Sequence, residues 1–278
     1  TLNLTGTFGT STNKLTFTTA PGQSNGLITR VTVNGDSFAT YNATNGVTAF
    51  TAFSSAQNIL SASATATYRA TYDKANSLTG AQTISALALT SDAAGAVTLG
   101  GLGGLNPSTL TISSGAVLVN TNGANAGTDA TLGVPVVAFA GAEAIFHVAA
   151  GQTLTVSSAM TGTNGLTKAL PGTVRLEAPQ FISGNTTVNA GTLRLQAGAT
   201  NTLWYGIGGL GVNNGATLDL NGGVQYAGNL YANDLGTQQN ARGGAIVNNA
   251  GTQATLAFNG NASYNGSITG DIAVVKVG

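Results

Sequence analysis

Between Gly165 and Leu195 apolar and polar residues alternate in three short runs, Thr173-Val174-Arg175-Leu176, Thr186-Thr187-Val188 and Thr192-Leu193-Arg194-Leu195. A period of two places Val174 and Leu176 on one face of a strand and Arg175 on the other, and it separates Leu193 and Leu195 from Arg194 in the same way. Each run therefore predicts a strand with one buried face. Glycine or asparagine stands before each run, at Gly172, Asn185 and Gly191, where the chain has to turn. The cadence recurs upstream in Ala86-Leu87-Ala88-Leu89, Ala96-Val97-Thr98-Leu99, Thr109-Leu110-Thr111-Ile112, Ala116-Val117-Leu118-Val119, Ala144-Ile145-Phe146-His147-Val148 and Thr153-Leu154-Thr155-Val156. Downstream it resumes in Ala216-Thr217-Leu218-Asp219-Leu220, Ala245-Ile246-Val247 and Ala254-Thr255-Leu256-Ala257-Phe258.

Leu154, Val174, Leu193 and Leu218 hold comparable places in these strands, 20, 19 and 25 residues apart. That interval is the length of one coil of a solenoid, and its drift is unlike a sandwich of paired sheets. With no heptads and no long amphipathic helical stretch, the pattern predicts an all-β solenoid. In such a stack each coil bonds to the next, aliphatic residues form a continuous interior ladder, and polar residues face water.

Residues 20–80 are less regular. Pro21-Gly22, Asn25-Gly26, Asn34-Gly35 and Asn45-Gly46 are turn formers, because asparagine and glycine tolerate positive φ. Strands are expected between them at 27–33 and 37–41. The stretch Ser54 to Asp73 is rich in Ala, Ser and Thr and reads as coil and strand, since its Thr and Tyr favour extended backbone over a short helix.

The block from Gly165 resembles the autotransporter-associated β-strand repeat on Gly165, Leu166, Lys168, Gly172, Thr173, Leu176, Thr186 to Asn189 and Gly191 to Leu193. Val174 replaces the first leucine of the pattern, Leu170 stands where it has a glycine, and Ala178-Pro179-Gln180 replaces its glycine-alanine-asparagine turn. The stretch from Val31 to Phe50 also resembles an insertion common in large proteins carrying these repeats. The resemblance implies a secreted right-handed parallel β-helix, with no defined activity.

The same motif is split across the chain ends. Thr1-Leu2-Asn3-Leu4 resembles its middle without the lysine half, and Val274-Val275-Lys276-Val277-Gly278 resembles the lysine half without its continuation, Lys276 corresponding to Lys168. Tail joined to head, the two approximate one repeat, about two residues short. The termini are thus the expected self-association sites, either between separate chains or with further repeats of a longer one. An open β-helix end offers unpaired backbone donors and acceptors as a template. The chain begins with Thr1 and its only methionine is Met160, so it reads as a processed product or a part of something longer.

Composition narrows the classes. Charged residues make up 6% and hydrophobic residues 42%, which is unlike a disordered tail and sufficient for a core. Nine basic and nine acidic residues leave no field for nucleic acid or an anionic membrane. There is no cysteine, hence no disulfide framework or thiolate metal site. Uncharged stretches such as Ala93 to Thr128 are too rich in Gly, Thr, Ser and Asn for a membrane helix.

Candidate chemistry is sparse. His147 is the only histidine; it faces inward if Ile145 does, and outward if Phe146 and Val148 face in, and its expected role is structural. The nine acids are scattered, though Glu177 and Asp219 flank successive strand regions that could bring them near each other, together with Arg175 and Arg194. A β-helix lyase or glycosidase would need converging carboxylates, and isolated charges on a solvated face are the simpler expectation. Gly100-Gly101-Leu102-Gly103-Gly104 and Gly208-Gly209-Leu210-Gly211 lack the aspartates of a calcium-binding repeat and read as tight corners. Trp204-Tyr205 with Tyr226 and Tyr231 form an aromatic cluster by sequence, able to cover the solenoid or to stack on sugar rings. Lys168 and Lys276 read as equivalent, solvated strand flanks.

The sequence thus predicts a non-enzymatic, extracellular or cell-surface β-solenoid that requires no cofactor or metal and stacks end to end through Thr1–Leu4 and Val274–Gly278. A carbohydrate-binding adhesin or polysaccharide-acting β-helix enzyme is the competing class.

Overall fold

The computed structural model describes residues 1–278 except 11, 75, 93–94, 104–106, 122–128, 207, 233–242 and 278. The chain is a parallel β-helix. Two nine-stranded sheets run its length, one from Thr67–Ala70 to Ala262–Ser263 and the other from Ser77–Leu78 to Ser267–Thr269. A third face is formed first by five strands between Gln82–Ile84 and Phe181–Ile182, then by three, Val224–Ala227, Ala254–Phe258 and Ile272–Lys276. Every pairing in these faces is parallel, as winding in one direction demands.

The anticipated ladder lies on the second face, where Leu154 pairs with Val174, Val174 with Leu193 and Leu193 with Leu218, all buried. On the first face the inward column runs Tyr68, Leu87, Val117, Phe146, Lys168, Val188 and Val212. These columns and Ile84, Ile112, Leu110, Val137 and Met160 from the third face merge into one apolar core along the axis. Burial of this kind contributes about 25 cal/mol per Å² of apolar surface, and each coil draws it from its neighbours.

The first 50 residues do not add coils. They form a separate four-stranded sheet of β1 (Leu2–Leu4), β2 (Ile28–Val33), β3 (Ser37–Asn42) and β4 (Gly46–Ala49), in that order, with β1 parallel to β2 and the rest antiparallel. Three of the four turn pairs act as expected: Asn25 and Gly26 both take positive φ between bridged Ser24 and Leu27, Asn34 and Gly35 do so between β2 and β3, and Gly46 does so at the start of β4, whereas Pro21-Gly22 makes no turn. This sheet lies on the outside of the first face, where Leu27, Phe38 and Phe50 cluster with Ala86, Ala88, Ala116, Leu118 and Leu170. Small outward residues admit the second layer. Hence the strands Ala86–Ser91 and Ala144–Val148 are buried on both faces.

Ser54 to Asp73 contains the expected strand, Thr67–Ala70, and one short 3-10 turn at Ile59–Ser61 capped by the Asn58 side chain, which accepts from Leu60 N–H. Ile59 is fully buried in the coil core and closes its N-terminal end, with Ala56 and Leu60 packed beside it.

Candidate functional site

The two terminal segments occupy different places. Thr1–Leu4 is not an end coil: β1 is the edge of the flanking sheet, its Asn3 Oδ1 accepting from Gly35 N–H at 2.7 Å and from Thr32 Oγ1 at 3.0 Å. Thr1, Leu2 and Asn3 line a cavity of about 540 Å³ with Thr32, His147, Leu170 and Asn189. Val274, Val275, Lys276 and Val277 do lie at an end, in and just after the last strand of the third face, and Gly278 lies outside the described residues. The structure therefore does not bring the halves of the motif together.

The C-terminal coil leaves its edges open. Val274 stands in register with buried Leu256, yet is 49% exposed, with no strand paired on its other side among the described residues. Ile268, next to buried Ile246, and Ile272, next to buried Ala254, are only partly covered. The apolar core is thus exposed in cross-section, beside three edge strands.

Lys168 is not a solvated flank, and Lys276 differs from it in burial and in the face it lies on. Lys168 is fully buried on the inward column of the first face between Phe146 and Val188, whereas Lys276 is exposed on the third face. Its parity with Leu166 already carries the signal, since residues two apart share a face. The ammonium group donates to the carbonyls of Ala169 (3.0 Å), Leu170 (2.7 Å) and Ala190 (3.0 Å), which uses all three of its N–H bonds. Burial nevertheless pushes its pKa down to about 7.

Phe146 and Val148 face the core, so His147 points outward, but the flanking sheet buries it. Its Nε2 lies 2.8 Å from the Thr29 carbonyl, and burial lowers its pKa to about 4 despite that bond. Further polar contacts fasten the sheet along the same face: Asn25 Nδ2 donates to Ser85 Oγ at 3.0 Å, Asn120 Nδ2 to the Asp36 carbonyl, and Arg30 pairs with Glu143, which also accepts from Thr167 Oγ1. Leu170 sits beneath the sheet at φ +65°, a left-handed conformation that suits the glycine of the repeat pattern.

The carboxylates foreseen near Arg175 and Arg194 are there. Arg175 and Arg194 are register partners, Arg175 reaches Glu177 at 2.7 Å, and Arg194 lies 3.4 Å from Asp219, its own register partner. Asp219 is buried and accepts from the backbone of Asn221 and from Asn249, so it braces a coil corner. Glu177 is paired and partly exposed; such surface pairs are worth about 0–1 kcal/mol.

The glycine runs are not corners in the way expected. Gly209 and Gly211 lie in a strand, Gly209–Val212, where a Cβ would meet the Tyr231 ring at 2.6 and 2.5 Å. The bare backbone makes room for that ring, whose hydroxyl lies 3.1 Å from Thr187 Oγ1. Gly100 and Gly101 end the strand Val97–Gly101, and Gly104 lies outside the described residues.

Tyr231 is consequently apart from the other aromatics. Trp204 contacts Tyr205 and Phe181, with centroids 4.5 and 5.9 Å away. Tyr205 and Tyr226 line a second cavity, of about 530 Å³, on the third face. The sequence missed Phe181, which lies far from Trp204 along the chain and meets it only through coil stacking.

These features define a parallel β-helix with a flanking antiparallel layer, one plugged end and one open end. No protein-family model matches the chain, and no curated protein or solved structure matches it.

Proposed function

We propose that this chain is a structural segment of an extracellular or cell-surface β-solenoid, lengthened by a further coil seated on its C-terminal end. The exposed core cross-section at Ile268, Ile272 and Val274 carries the reading: it is the apolar, unpaired surface that a coil of the same kind would cover. The covering coil comes from a second copy or from further repeats. The likeness of 165–195 to autotransporter-associated repeats supports a secreted setting and the same mechanical role.

The N-terminal segment takes a different part from the one its motif implies. With β1 on the flank and Ile59 plugging the N-terminal end, contact through Thr1–Leu4 would be lateral rather than axial. Sedimentation of the chain over a concentration series, alongside Val274→Lys and Ile268→Glu, tests the reading. Concentration-dependent association that both substitutions abolish is expected. A monomer at every concentration would remove self-assembly, and association untouched by both substitutions would remove the C-terminal end as its site.

A further inference from the structure

Four aromatic rings gather on the third face in consecutive layers. Phe181 begins the row, Trp204 and Tyr205 follow, and Tyr226 comes next in the strand Val224–Ala227. A backbone bond and a buried glutamine fix the spacing where regular strand pairing lapses. The Gln180 backbone N–H donates to the Thr202 carbonyl at 2.7 Å, and the Gln225 side-chain Oε1 accepts from Leu203 N–H at 3.0 Å. The segment bearing Trp204 is thereby held between its neighbours.

Trp204 packs against the core, whereas the two tyrosines stand out from it. Tyr205 is 62% and Tyr226 45% exposed, and both edge the cavity of about 530 Å³ with Asn201, Phe258, Asn259 and Val277. Asn201 accepts Tyr226 N–H through Oδ1 at 3.0 Å, which leaves its amide N–H groups for a ligand. Among the described residues no carboxylate, lysine or arginine lines the cavity.

We propose that this cavity and its ring row bind a segment of neutral polysaccharide. A pyranose chain presents apolar C–H faces to stack on aromatic rings and hydroxyls to bond amides, and it brings no charge that would need a counter-ion. An acidic polysaccharide would require cations that the lining does not offer; the nearby Lys276 ammonium is engaged by the carbonyls of Asn259 (3.2 Å) and Val277 (3.1 Å). The inference does not depend on end-to-end stacking; it adds a ligand to the solenoid's side.

Trp204 is the only tryptophan, so its emission reports on the row directly. Cellohexaose, maltohexaose and chitohexaose are titrated against the chain, with oligogalacturonate as the acidic comparator, followed by Trp204 fluorescence and by calorimetry. At least one neutral oligosaccharide is expected to bind saturably. Tyr226→Ala should weaken it about tenfold, equivalent to about 1.4 kcal/mol, while Tyr72→Ala, an exposed tyrosine elsewhere, should leave it unchanged. Thermal melting checks that both variants fold. Failure of all three neutral oligosaccharides to bind, undiminished binding by Tyr226→Ala, or preference for oligogalacturonate would each overturn the proposal.

Discussion

The Nε2 atom of His147 lies 2.8 Å from the carbonyl oxygen of Thr29, joining a solenoid strand to a sheet 118 residues earlier in the chain. The bond calls for Nε2 to carry the proton, and Nδ1 is buried with no hydrogen-bond partner, so an imidazolium would add a buried donor with nowhere to donate. Below its ordinary value of 6.5 the unfolded chain takes up a proton that the folded chain refuses until about pH 4. Stability should therefore fall as pH drops through that window, by about 3 kcal/mol in all. Urea unfolding between pH 4 and 7 checks this, and His147→Gln should remove that component of the slope.

Lys168 gives a second window with the same sign. Its pKa is about 7 in the folded chain against an ordinary lysine value of 10.5, so between these the unfolded chain holds a proton that the folded chain has shed. Stability rises with pH across this range, on the order of 5 kcal/mol, and the increment is absent below pH 7. Lys168→Met should flatten this part of the profile. Near pH 10.5 it should also cost about 2 kcal/mol, because the neutral amine's two N–H groups, which serve two of the three carbonyls of Ala169, Leu170 and Ala190, are lost. Equilibrium unfolding of both proteins at pH 7, 9 and 10.5 measures the change in slope.

Leu170 combines backbone strain with burial at an interface. A non-glycine residue in the left-handed region costs about 1–2 kcal/mol, whereas burying a leucine contributes about 1.5–3 kcal/mol. Leu170→Gly relieves the first and loses the second, for a net destabilisation of about 1 kcal/mol. The effect should be local. Hydrogen exchange should speed up in β2 and β3 and stay unchanged in Thr153–Val156, which lies away from the sheet.

Corner glycines should be far less tolerant than exposed ones. Gly191 has φ +65°, and a Cβ there would come within 2.2 Å of the Gly172 carbonyl oxygen of the preceding coil, itself rigid backbone. Gly191→Ala is expected to destabilise the chain by about 3 kcal/mol, near the top of the range for single substitutions. Gly198→Ala shares the positive φ but meets nothing within 4 Å, and should cost about 1 kcal/mol. Their difference in thermal midpoint isolates the steric part.

Alternation alone places Val174, Leu176 and Leu193 inside and Arg175 and Arg194 outside, and the recurrence of Leu154, Val174, Leu193 and Leu218 defines coils that pair as counted. These features are legible because period-two patterning and coil length are local properties of the chain, and every coil obeys the same rule. Lys168 departs from expectation because two local signals conflict there: parity with Leu166 points inward, while a lysine's charge points to water. Only the carbonyls of Ala169, Leu170 and Ala190 converging on its amine make its burial tolerable. Alternation leaves the face of His147 open, and nothing near His147 or Ala116 in sequence announces the sheet that covers them.

The amino-acid order by itself determined most of the alternating strands, the inward faces of runs such as Val174 to Leu176, and the winding into a β-helix, since each follows from neighbours one coil away at most. Tertiary structure alone decided that the first 50 residues lie along the flank instead of stacking at an end, and that Phe181 joins Trp204 and Tyr226 on one surface while Tyr231 does not. Those outcomes depend on contacts between segments from tens to over a hundred residues apart, which no local pattern encodes.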